Sequence, residues 1–359
     1  MRSNAHFGGL LKPVPQEAFS AWLGRGGCSR NPAPFMRASD CLKQSGVEDF
    51  DGEFTNALTE ELSEALGLSS ECLRRSFPLP GNWLKAPPER RLQFCELCLL
   101  HDFRCGRHPS LRITWFYWWL SVCPVHGCPL HTGDSISAPE ALFSFIQFNS
   151  VLKTYMQPPS DRFVERQRRA RLTTISKLKF MAWHFQRWYL ASVQRGTVII
   201  GDVELAANVA EVELLMADML AIIGKKRSYP FDRRSYIAEL LDIKSWCSLR
   251  LDLPPDMGSE PFLGLDVGEH SSVIRMAMFA LLGLFLKLPQ SAHIWYLGSR
   301  GPYDWSIEYL WRSLLYDAVR VPSYSEWFSQ HSESWSAPIR THFRYLLENP
   351  SHVLRPLAR

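Results

Sequence analysis

The sequence lacks the local signatures that assign an enzymatic activity by themselves. It has no GxxxxGK[ST] phosphate loop, no HExxH pair and no GxSxG nucleophile elbow. Its acidic residues are scattered, with no paired-carboxylate metal motif. His184 lies between aromatic neighbours and reads as a core histidine rather than a catalyst. These absences point to a chain that is not an enzyme. No apolar run near the amino terminus reaches signal-peptide length, so a cytoplasmic protein is expected. The longest apolar run, MAMFALLGLFL at 276–286, is too short for a bilayer and is bracketed by Arg275 and Lys287. It predicts a buried helix and no membrane partner. A strong net charge is also missing. At +4 the chain carries no global field for nucleic acid, so any such contact must come from local patches. No internal repeat or low-complexity tract is present.

What the sequence does have is concentrated. The stretch CELCLLHDFRCGRHPSLRITWFYWWLSVCPVHGCPLH, residues 95–131, holds five of the nine cysteines and four of the eleven histidines. In a reducing compartment clustered cysteines signal metal more than disulfides. Cys95-Glu-Leu-Cys98 and Cys123-Pro-Val-His126 are two knuckles of metal-ligand spacing. Each turns tightly enough to aim two side chains at one ion, and together they supply a tetrahedral Cys3His set suited to Zn2+. Pro124 fixes one backbone angle within the second knuckle, and Gly127 permits a positive φ as the chain leaves it. A closed shell of this kind stabilises a fold and leaves no open position for a water nucleophile. Cys105, His108, Cys128 and His131 offer a second, interleaved Cys2His2 set. The alternative is that Cys105 and His108 decorate a loop while Cys128 packs as a small apolar group. The aromatic run Trp115, Phe116, Tyr117, Trp118 and Trp119 suits a small core around the knuckles, with base stacking as its alternative.

Around this module the periodicity is helical, and the fold class is mostly α. Residues 12–25 read as a proline-marked start and a short helix that buries Phe19, Trp22 and Leu23 and is stopped by Gly26 and Gly27. Residues 58–77 carry Leu62, Leu66 and Leu73 on one side, with a break at Gly67-Leu68-Ser69. That is the pattern of a helix-turn-helix, and equally of any helical hairpin. Helices are predicted over 180–193 and 203–223, an isolated strand over 197–200, and a long loop over 253–268. Prolines at 78, 80, 87 and 88 mark a linker, and SISAPE at 135–140 a second boundary. Three regions follow: a helix-turn-helix-like segment over 1–88, a zinc-knuckle module over 89–134, and a helical carboxy-terminal domain over 135–359.

The ordered motifs bear a resemblance. Arg112-x2-Trp115, followed by Cys123-Pro-x-His126-Gly127-x-Pro129-Leu130, is similar to the zinc-finger signature of TniQ/TnsD transposition proteins. Cys95-x2-Cys98-Leu99 matches the first knuckle of that family. Pro13-x-Pro15-x-Glu17, with Trp22 and Arg25, resembles its opening helix, and Leu62 to Leu73 its helix-turn-helix. The match covers about the first 135 residues; beyond them only helical character fits. Glu96 stands where the family often has proline, and the spacer between knuckles is long. No further cysteine follows Cys128 until the lone Cys247.

The resemblance implies a non-catalytic selector of transposon target sites in a bacterium. Such proteins recruit an AAA+ transposition ATPase. Some dock, often as homodimers, on a CRISPR–Cascade complex whose guide RNA reads the target; others read target DNA directly. With that implication, the basic run Arg162, Arg166, Arg168, Arg169, Arg171, Lys177 and Lys179 becomes a candidate nucleic-acid contact, against a solvated helix face. A second run, Lys225 to Arg227 with Arg233 and Arg234, follows a helix end, where cations favour the helix dipole.

Overall fold

The computed structural model describes residues 7–51, 56–78, 83–133, 174–224, 267–296 and 322–347, together with Gly81, Ile237, Leu240, Leu241, Leu310, Trp311 and Leu314. The fold is mostly helical, with 12 helices and two small two-stranded sheets among the described residues. The chain divides into two compact units, Met1–Pro158 and Pro159–Arg359.

The first unit begins with α1 (Phe19–Gly27) and α2 (Ala33–Ser45). Phe19, Trp22 and Leu23 are buried as their spacing predicts. Trp22 is the centre of this core, its ring 4.9 Å from Phe35, 5.2 Å from Phe77 and 6.0 Å from Phe7. The two glycines do not stop α1; the helix runs through both. A Cβ at position 26 would lie 2.0 Å from Cδ1 of Phe35, so Gly26 is what admits the α2 ring. Then α3 (Asn56–Leu66) and α4 (Ser70–Ser76) form the predicted hairpin around Gly67. Leu62, Leu66 and Leu73 all enter the same core. Ser69 caps α4 by accepting from the Cys72 N–H at 3.1 Å.

The proline-marked stretch that the sequence presents as a linker is stitched to the cysteine-rich segment. Ala86 N–H donates to Phe116 at 2.7 Å, Trp118 N–H to Leu84 at 2.8 Å, and the Tyr117 hydroxyl to Gly81 at 2.8 Å. Arg91 donates to both carboxylate oxygens of Asp49, at 2.6 Å for its Nη1, and Lys85 pairs with the same carboxylate. Residues 7–133 therefore belong to one unit, with no free tether at 88.

In the second unit, α6 (Thr174–Arg195) packs on α8 (Ser272–Phe285), with Phe185 stacked on Phe279 at 5.4 Å. Every residue from Arg275 to Phe285 is buried, as the apolar run predicts. Among the described residues no single helix is long and apolar enough to cross a membrane. The strand over 197–200 is not isolated: β3 (Val198–Ile200) pairs antiparallel with β4 (Val203–Leu205). The sequence reading merged β4 into the following helix. That helix, α7 (Val209–Gly224), starts later, at a reciprocal cap. Glu211 N–H donates to the Asn208 side chain at 2.9 Å, and Asn208 N–H to the Glu211 carboxylate at 2.8 Å. The helices α9 (Pro289–Tyr296), α10 (Pro322–Ser334), α11 (Ala337–His342) and α12 (Arg344–Leu347) complete the unit. The loop predicted over 253–268 lies outside the described residues except for Val267 and Gly268, which open a short 3-10 turn.

Candidate metal centre

Two short pieces of backbone build the centre. The first is the start of α5 (Glu96–Arg104), where Cys95 occupies the N-cap position and Cys98 the first turn. Cys98 and Leu99 both donate their N–H groups to the Cys95 carbonyl, so local helix formation aims both thiols the same way. The second piece is a hairpin closed by Leu130 N–H to Ser121 at 2.9 Å and Cys123 N–H to Cys128 at 2.8 Å. At its tip Gly127 has φ 63°, the left-handed turn expected of it, and donates to the Cys123 carbonyl at 2.8 Å. The strands β1 (Gln93–Phe94) and β2 (His131–Thr132) pair antiparallel and hold the two pieces side by side.

The result is a compact donor set. Nδ1 of His126 lies 3.4 Å from Cys95 Sγ, 3.3 Å from Cys98 Sγ and 3.7 Å from Cys123 Sγ, while Cys98 and Cys123 are 3.7 Å apart. The three cysteines are buried and His126 is exposed. Cys95, Cys98, Cys123 and His126 can hold one metal ion. Among themselves the thiols share negative charge unequally. Hydrogen bonds from Cys128, Cys95 and Cys98 pull the Cys123 thiol far down from its ordinary value. The same hydrogen bond to Cys123 pushes Cys98 up to about 12 and also raises Cys95 and Cys128. A divalent cation relieves that competition, because it binds each sulfur as thiolate.

The four residues of the interleaved second set are not brought together. Cys105 Sγ lies 3.7 Å from His101 Nε2 on the exposed side of α5. His131 Nε2 meets the Glu96 carboxylate at 3.2 Å, and His108 is exposed on a loop beyond α5. Cys128 Sγ is 3.6 Å from Cys95 Sγ, at the edge of the Cys3His cluster. Spacing alone did not signal that neighbour, since the two are 33 residues apart. The run Trp115 to Trp119 is buried at every position, which makes it core beneath the knuckles and leaves no free face for bases. Of the candidate nucleic-acid contacts, Arg162, Arg166, Arg168, Arg169 and Arg171 lie outside the described residues, as does the run at 225–234. Lys177 donates to the Trp295 carbonyl at 3.2 Å, and Lys179 sits 5.3 Å from the Phe180 ring.

Beside the cluster is a buried polar hub. The Glu17 carboxylate accepts Arg25 Nε at 2.8 Å, Arg25 Nη2 at 2.7 Å, the Val14 N–H at 2.8 Å and the Ser110 hydroxyl. Its backbone pairs with Arg112 across an antiparallel bridge, and Ala18 N–H donates to Leu111 at 3.0 Å. Arg112 in turn makes a two-pronged contact with Asp102 of α5, at 2.8 and 2.7 Å, and lies over Trp115 at 5.7 Å. The opening helix is thus clamped to the metal-bearing segment. No protein-family model matches the chain, and no curated protein or solved structure gives a significant match. Its own residues carry the functional reading.

Proposed function

We propose that the Cys3His cluster binds zinc as a structural ion, and that the chain is a non-catalytic target-selection adaptor resembling the TniQ/TnsD transposition proteins. For zinc, tetrahedral bonds of about 2.3 Å to sulfur and about 2.0 Å to nitrogen set sulfurs about 3.8 Å apart and sulfur to nitrogen about 3.5 Å. The 3.7 Å between Cys98 and Cys123 and the 3.3–3.7 Å from His126 fit that shell. The soft, three-thiolate set favours zinc over magnesium or calcium. Four protein donors leave no position for substrate, so the ion supplies fold and not chemistry.

The observation that carries the adaptor reading is the clamp. Of the motif residues that resemble the family, Glu17 and Arg25 at the start and Arg112 and Trp115 before the second knuckle meet in one interlocked structure, while Trp22 centres the adjoining core. Chance matches scattered through a sequence have no reason to touch. In this reading the chain links a CRISPR–Cascade complex with its guide RNA to an AAA+ transposition ATPase, acting as a homodimer. The second reading, direct recognition of an attachment site in DNA, draws on the α3–α4 hairpin, two short helices joined by a turn at Gly67. Purification of the tagged chain from its native host, with proteins and nucleic acids identified together, separates the two. The ATPase with Cascade subunits and guide RNA supports the adaptor. The ATPase with one recurrent DNA sequence and no RNA supports direct reading. An intact metal site with neither partner refutes both.

A further inference from the structure

The long spacer between the knuckles places a loop, Gly106 to His108, against the amino-terminal arm and the α1–α2 connection. These three pieces enclose an open cleft of about 620 Å3. Its lining contains Lys12, Arg25, Arg30, Arg107 and His108, and no aspartate or glutamate. Arg25 is neutralised by Glu17. Lys12, Arg30 and Arg107 are exposed, and no carboxylate pairs with them among the described residues. Asp102, the acidic group nearest in sequence to the loop, is committed to Arg112, and Glu17 of the amino-terminal arm to Arg25. Asn31 and Ser29 add hydrogen-bonding side chains, and α2 opens here with no side-chain cap, its positive end adding to the field.

We propose that this cleft binds the phosphate backbone of duplex DNA. Three unneutralised cations with polar neighbours around an open groove are what phosphate contacts require. A protein partner needs an apolar anchor at the centre of its contact. Here Leu10 and Leu11 are half-buried against the core cluster and Phe35 is 1% exposed, so no large apolar side chain of the lining is fully presented. The same burial removes the stacking platform by which proteins hold single strands. The inference stands on the cleft and does not depend on the transposition reading. It uses neither the α3–α4 hairpin nor the basic run over 162–179.

The test is fluorescence anisotropy of the full zinc-loaded chain with a labelled random-sequence duplex over a range of salt concentrations. Comparison variants are Arg30→Ala/Arg107→Ala, Arg30→Lys/Arg107→Lys and Arg74→Ala/Arg75→Ala on α4. Each lost phosphate contact lowers the slope of log affinity against log salt by about 0.9, so the first variant should lose about two units of slope. Its affinity at low salt should fall at least about tenfold. The lysine variant should retain the slope and the α4 variant should behave as the parent. Arg30 and Arg107 are both exposed, and matched melting curves and metal content establish that the variants are folded. An unchanged slope in the alanine variant overturns the proposal, as does a loss confined to the α4 variant. Tighter binding of single-stranded RNA through the same arginines overturns the duplex assignment. Equal binding of polyglutamate at matched charge shows an acidic-protein site instead.

Discussion

Glu17 provides the sharpest test of how the first unit is held together. Its side chain is 0% exposed and that of its partner Arg25 is 5% exposed, so this is a buried ion pair. Replacing Glu17 by alanine leaves a guanidinium in a dry site and strands the Val14 N–H and the Ser110 hydroxyl. Breaking one side of such a pair costs about 3–5 kcal/mol, mostly for the uncompensated charge. For a unit of this size each kcal/mol moves the melting temperature by about 2–4 °C, so Glu17→Ala should melt roughly 10 °C lower. Arg25→Ala should cost a similar amount, since it leaves the carboxylate with only neutral donors. The combined variant removes both charges and should cost little more than either change alone, a coupling of about 3 kcal/mol in a double-mutant cycle. Urea unfolding of the four proteins, followed by tryptophan fluorescence, measures that coupling. Metal content on the same samples separates loss of the clamp from loss of the ion. Additive single effects, or a Glu17→Ala cost below about 1 kcal/mol, would refute the assignment of Glu17 as the hub.

Three further outcomes follow from the same structure. Cys98→Ser, or chelation of the parent, should remove one equivalent of metal in elemental analysis and unfold the first unit, because structural zinc contributes on the order of 10 kcal/mol in comparable modules; unchanged melting sinks the structural role. Gly26→Ala should cost about 1–3 kcal/mol by overpacking against Phe35, whereas Gly27→Ala, where a Cβ meets nothing within 4 Å, should be neutral or slightly stabilising. Equal effects in chemical denaturation would mean that Phe35 yields. For Asp49, burial alone would raise the carboxyl, but hydrogen bonds from Arg91 and Lys85 outweigh it and hold the group below its usual 3.8. A lowered folded value contributes stability above the unfolded value and loses it as pH falls through the folded one. Asp49→Asn should therefore flatten the acid limb of the stability profile below about pH 4 and lower stability at neutral pH. A profile that keeps its acid limb would place the titration elsewhere.

What could be read from the sequence was local. The ligand pairs are legible because a knuckle brings residues i and i+3 toward one point by its own turn, and the hairpin because Leu62 and Leu66 repeat on one helical face before the break at Gly67. What escaped was non-local. Gly26 resembled a helix stop, but its role is set by the Phe35 ring of the next helix. Val203 to Leu205 read as the start of a helix because their alternation is only three residues long; the strand is defined by its partner across Gly201. Cys128 read either as part of a second site or as a small packed apolar group, and only the hairpin shows it folding back to within 3.6 Å of Cys95. The prolines at 87 and 88 suggested a tether, because the hydrogen bonds that bind 81–86 to 116–118 leave no mark on composition.

These non-local links change what the metal does. If the module over 89–134 were a bead on a string, metal loss would melt that bead alone. Instead an ion held by Cys95 and Cys98 would fix the first turn of α5, and Asp102 in the same helix holds Arg112. The backbone at Arg112 pairs with Glu17 across an isolated bridge, and Glu17 anchors Arg25 of α1. Each link is a buried charge or a backbone hydrogen bond, and an unmade one costs more than a made one contributes. Loss at one end is therefore transmitted rather than absorbed. The cleft at Arg30 and Arg107 has one wall from each end of this chain of contacts, the α1–α2 connection and the loop after α5. On the proposed zinc reading, loss of the ion would loosen the helix that carries one of these walls. If the proposed ion is present, metal binding and the shape of the cationic cleft should therefore change together.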